Sequence, residues 1–257
     1  MKALNTYINE KLILNKDTFK NYYKYFPKTR EELKDIINKL LKERGPDADL
    51  NDIDTSKITS MSYVFQNADI KNPDISGWDV SKVENMRKMF HNCKYFNGNL
   101  NNWDVSSVKN MSNMFEDCPA FNSDLSSWKT NNVENMNDMF NGCDRFEGKG
   151  LENWNVINCE SMGGLFYGCI KFNADISKWK VYNLKIATEM FAYCKNFNQD
   201  LGNWKLNKVQ NMELMFVECE KFEGKGLENW NIPENIIKRG MFNLCKNLKN
   251  KPSWYNL

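Results

Sequence analysis

Apolar residues recur along most of this chain at spacings of three and four, and the same set returns every 25 or 26 residues. In one such stretch Val83, Met86, Met89, Phe90 and Cys93 fall at i, i+3, i+6, i+7 and i+10, the positions that line one face of a helix. Residues suited to a helix start precede these runs. Ser81 stands three before Glu84, Asn131 three before Glu134, and Asn207 three before Gln210, as in capping boxes. The stretch from Phe96 to Val105 loses the helical period and carries Asn-Gly turn chemistry, which predicts a short strand near Leu100 to Trp103. One helix and one strand per unit predict an α/β repeat solenoid with a parallel sheet on one face.

The repeat itself is marked most clearly by tryptophan. All eight tryptophans form one series, at 78, 103, 128, 154, 179, 204, 230 and 254. Phenylalanine follows twelve later (Phe90 to Phe242), cysteine fifteen later (Cys93 to Cys245), and a second phenylalanine eighteen later (Phe96 to Phe222, then Leu248). The two 26-residue units contain the inserts Phe146-Glu-Gly-Lys-Gly-Leu151 and Phe222-Glu-Gly-Lys-Gly-Leu227, so a block of three units is duplicated. A period of this size is the mark of a stacked array, with atypical units at its ends.

The chain divides accordingly. Residues 1–28 form an N-terminal leader and aromatic segment (Phe19, Tyr22, Tyr23, Tyr25, Phe26). Residues 29–49 predict a cap helix, opened by Thr29 and Glu32, carried by Leu33, Ile36, Ile37, Leu40 and Leu41, and closed by Gly45-Pro46. Residues 50–231 are the repeat array, with a degenerate first unit in which Met61 and Phe65 hold the phase. Residues 232–257 are a degenerate last unit and C-terminal cap.

Charge and composition narrow the function. Lys and Arg number 35 against 33 Asp and Glu, a net charge of +2, so nucleic acid is not an expected partner. No apolar run is long enough to span a membrane. Polar residues interrupt every apolar stretch of the first twenty, so no secretory signal or lipobox is read, favouring a cytoplasmic or particle-associated protein over a surface-displayed one. The single histidine, His91, is expected on the solvated surface. Seven of the eight cysteines share one repeat position, and Cys159 replaces a repeat valine, so all are expected as reduced core thiols. No C-x-x-C pair, phosphate loop or nucleophile elbow occurs. Hence no metal, no cofactor and no enzymatic activity are expected. The acidic and amide rows (Asp124, Asp175, Asp200 and Asn97, Asn122, Asn173, Asn198) are read as turn chemistry and side-chain ladders rather than calcium ligands.

The row directly after tryptophan varies from acidic to basic: Asp79, Asp104, Lys129, Asn155, Lys180, Lys205. Repeats keep their core positions and vary their exposed ones, so this row is the candidate surface for a protein partner of unknown identity.

The pattern W-D-V-S-x-V-x-N-M-x-x-M-F-x-x-C-x-x-F-N-x-D-L, as in Trp103 to Leu125, resembles BspA-type leucine-rich-repeat proteins of the mycoplasma-type repeat subfamily. The resemblance covers about Leu50 to Cys245 and implies a leucine-rich-repeat-like solenoid used for protein binding or adhesion, often at bacterial surfaces. The opening M-K-x-x-x-x-Y-I-x-E resembles the targeting leader of some tailed-phage proteins packaged into the head, which is cut after an apolar-x-Glu triplet. Ile8-Asn9-Glu10 fits, placing processing after Glu10 and implying a virion-associated protein as the alternative. A glycan-binding surface protein is a third reading.

Overall fold

The computed structural model describes residues 22–256, so the expected leader site at Glu10 lies outside the described residues. Helix α1, Arg30–Arg44, forms where its capping signals place it. Thr29 accepts a hydrogen bond from the Glu32 N–H, Glu31 and Glu32 sit in the first turn, and Gly45 ends the helix at φ 86°. The buried face of Leu33, Ile37 and Leu40 joins the core of the first unit. Arg44 adds a forked pair of bonds to Asp52, at 2.9 and 2.8 Å.

The α/β architecture is overturned. Among the described residues α1 is the one α-helix, there is no sheet, and β-pairing is confined to isolated parallel bridges. Besides Tyr25 with Ile53 and Asp49 with Asp74, the bridges run Ser60, Asn85, Asn110, Asn135, Ser161, Ile186, Asn211, Ile237, one residue per unit. They do not fall at Leu100 to Trp103, which is a turn closed by Trp103 N–H to Leu100 O at 3.1 Å.

The physical reason lies in two left-handed residues per unit. Lys88 and Asn92 have φ of 54° and 58°, and the same pair recurs as Asn113 and Asp117, Gly164 and Gly168, and Glu189 and Tyr193. A left-handed residue every fourth position ends any α-helix before it completes a turn. The released peptide groups bond between units instead. The N–H groups of Met86, Lys88, Phe90 and Asn92 donate to Asn110, Ser112, Met114 and Glu116 of the next unit, at 2.8–3.0 Å. The intervening peptides close turns within the unit, such as Met89 N–H to Met86 O and Cys93 N–H to Phe90 O. Apolar residues three and four apart thus face one core from a string of turns. Ser81 is no helix cap either; its N–H and hydroxyl both donate to Asp79 Oδ1, closing an Asx turn.

Two side-chain ladders hold successive units in register. Each repeat tryptophan donates its indole N–H to a carbonyl one unit back, as Trp103 to Ile75 at 3.1 Å and Trp128 to Leu100 at 3.0 Å. Each repeat cysteine does the same with its thiol, as Cys118 to Phe90 and Cys143 to Phe115. Between them run stacked rings, with Phe90 on Phe115 at 5.5 Å and Phe115 on Phe140 at 5.7 Å. The 26-residue units absorb their extra residue in a 3-10 turn, Leu151–Asn153 or Leu227–Asn229, entered through left-handed Gly150 or Gly226. Leu151 and Trp154 thereby return to the common phase.

Candidate functional site

Stacking at one residue per rung turns each repeat position into a straight row, so the surface is a set of parallel rows. The row after tryptophan is exposed throughout: Asp79, Asp104, Lys129, Asn155, Lys180 and Lys205 all face solvent while Trp78 to Trp204 are buried. Its acidic end is ordered by local bonds. Asp104 Oδ1 accepts from Ser106 N–H at 3.1 Å, and the bonds from Ser106, with Lys129 nearby, hold its carboxyl below the usual carboxylate range. Asn155 Oδ1 accepts from Ile157 N–H at 3.2 Å. The lysine end has no such ties among the bonds described and stays available to a partner.

A second exposed row lies beyond the Val80–Val83 turn and was not legible as a site in the sequence. It reads Glu84, Lys109, Glu134, Glu160, Lys185, Gln210, and it mixes acids with bases along the stack. Lys109 Nζ meets Glu84 at 2.9 Å and Lys185 Nζ meets Glu160 at 2.7 Å, while Glu134 falls between the pairs. A shallow cleft lined by Lys109, Asn132, Glu134, Asn158, Glu160 and Asn183 follows the same row. The signal was available as the residue before each bridging position, but only once the bridge is known to lie there.

The acidic and amide rows behave as turn and ladder groups. Asp175 Oδ1 accepts from Ser177 N–H at 2.9 Å, and Asn97 and Asn173 each accept a backbone N–H from the next unit. Asp124 is held down to about 2, chiefly by Lys149 and then by Ser126. The cysteines are all free and buried. Burial pushes the Cys93 and Cys159 thiols up to about 12, so they are protonated at neutral pH.

His91 departs from expectation. It is not a solvated side chain: 18% of it is exposed, and Nε2 lies 3.2 Å from Glu116 Oε2. The missed signal is the period, because residues 91 and 116 are one unit apart and therefore adjacent.

No helix among the described residues is long and apolar enough to cross a membrane. A family described as "Mycoplasma protein of unknown function, DUF285" matches over residues 34–152 and again over 140–255. No curated protein matches the chain.

Proposed function

The chain belongs to this family, and from that premise we propose that it is a non-enzymatic binding module of the BspA-like kind, recognising a protein partner through its exposed rows. The supporting observation is the contrast between rows. From Trp78 to Trp230 the tryptophan, cysteine and phenylalanine positions are constant and buried, whereas the position after tryptophan is exposed and changes from Asp79 and Asp104 to Lys180 and Lys205. A backbone tied to its neighbours by bonds of 2.8–3.0 Å presents these side chains in a fixed grid. Little ordering entropy is then lost when a partner docks. The acids of this row are occupied by Asx turns, which suits display rather than proton transfer.

Replacing Lys129, Lys180 and Lys205 together by Glu tests the reading. Cross-linking and affinity capture are expected to recover a partner with the parent protein and to lose it with the variant, while thermal unfolding is unchanged. Equal capture by both proteins would remove this row from the interface. Binding of an immobilised glycan instead of protein would favour a sugar-binding module.

A further inference from the structure

The chain's one histidine sits in a cluster that its hydrogen bonds do not account for. Stacking by one unit sets Glu116 beside His91, and Asp117 follows with a left-handed φ of 57°. Consecutive side chains of an extended strand face opposite sides; the left-handed backbone breaks that alternation and keeps Asp117 with Glu116. One ligand atom from each of His91, Glu116 and Asp117 lies within 4.8 Å of the others. His91 Nε2 faces Glu116 Oε2 at 3.2 Å, but neither that oxygen nor the buried His91 Nδ1 has a well-aligned hydrogen bond among the described residues. Both are lone-pair donors at neutral imidazole and ionised carboxylate. The nearest cation, Lys88 Nζ, stays 3.7 Å from Glu116 Oε2.

We infer that His91, Glu116 and Asp117 bind one divalent transition ion of the zinc class across the joint between two units. An imidazole nitrogen with two carboxylates suits a borderline ion, whereas magnesium and calcium favour all-oxygen sets. Tetrahedral ligands at ~2.0–2.2 Å from zinc stand about 3.3–3.6 Å apart, so side-chain movement on the order of 1 Å closes the cluster on the ion. Lys88 competes with the ion for Glu116. The expectation of no metal site rested on the cysteine spacings and the single histidine; this cluster joins that histidine to carboxylates one unit away.

A single histidine makes the test direct. Zinc is titrated into chelator-treated full-length protein while the lone imidazole resonance is followed by NMR. The resonance is expected to shift to completion at one equivalent, with a rise in unfolding temperature, and magnesium and calcium are expected to leave it unmoved. His91→Ala is expected to abolish tight zinc binding. Asp117→Asn, at an exposed position that tolerates change, is expected to weaken it at least ~10-fold. Lys88→Met is expected to bind zinc at least as tightly as the parent. An imidazole resonance unmoved by excess zinc would overturn the inference, as would zinc binding of parent strength in folded His91→Ala or Asp117→Asn.

Discussion

Tryptophan and cysteine are the residues on which this stack depends, and each acts through a polar atom as well as its bulk. Trp128 is buried and donates to Leu100 O at 3.0 Å. Trp128→Ala is expected to destabilise by roughly 3–5 kcal/mol, the range for large aromatics in cores. Trp128→Phe keeps most of the ring and loses the N–H, so a smaller loss of about 1 kcal/mol is expected. Urea unfolding of both variants checks the order, and unchanged stability of Trp128→Ala would deny the ladder its role. The thiols make a second claim. Burial raises Cys93 and Cys159 from 9.0 to about 12, so the folded state keeps protons that the unfolded chain releases. Their stabilisation is complete below the ordinary thiol value and is lost as pH climbs from about 9 towards 12. Each thiol with such a shift removes ~1.4 kcal/mol per pH unit in that window. Circular dichroism is expected to show unfolding well below pH 12, and Cys93→Ala is expected to move the midpoint upwards. Retention of the fold at pH 12 would contradict a buried thiol ladder.

Between residues and fold stand the turns, and here sequence and structure part. Helix α1 was legible because its caps are local: Thr29 and Gly45 say where it begins and stops. The repeat phase and core were legible because identical residues return at fixed distance. The conformation between them was not, since residues three and four apart can share a core from a helix or from turns broken by left-handed residues. Asn92, Asn113, Asp117, Asp138, Gly142, Gly164 and Gly168 supplied a hint, being the types that tolerate positive φ. Lys88, Glu189 and Leu214 adopt it too, without any such tendency, because interunit bonds hold them there. His91 with Glu116 was hidden for a related reason: their contact exists only after the units stack. The glycine turn at the 26-residue insert gives the sharpest test at this scale. A Cβ on Gly150 would lie 2.3 Å from the backbone nitrogen of Ser126, at φ 94°. Gly150→Ala is expected to cost on the order of 3 kcal/mol, from backbone strain and overpacking together. Thermal unfolding measures it, with Gly45→Ala as a comparison, since Gly45 shares the positive φ but has open space around it.

Across the whole molecule the contacts that matter join position i to its equivalent one unit away. Bridges and ring stacks repeat this link, and indole and thiol bonds add a fixed link to a carbonyl 28 or so residues back, in the preceding unit. Stability in such an array is close to a sum of unit terms and nearest-neighbour terms. Removal of one complete unit should therefore preserve every remaining kind of contact. Deleting residues 104–128 joins Trp103 to Lys129, and the next unit meets the preceding one in the original phase. Trp154 would then find Leu100 where Leu125 had been, and Cys143 would find Phe90 in place of Phe115, each an equivalent partner. The shortened protein is expected to fold cooperatively with a modestly lower unfolding temperature and an unchanged near-ultraviolet spectrum per tryptophan. Deleting residues 104–116 removes half a unit and shifts every later row out of line, so indoles would meet turns and thiols would meet side chains. That variant is expected to lose the near-ultraviolet signal of its downstream units. Were both deletions to behave alike, cohesion would have to come from nonspecific apolar burial, because only register-dependent bonds distinguish a whole unit from half of one.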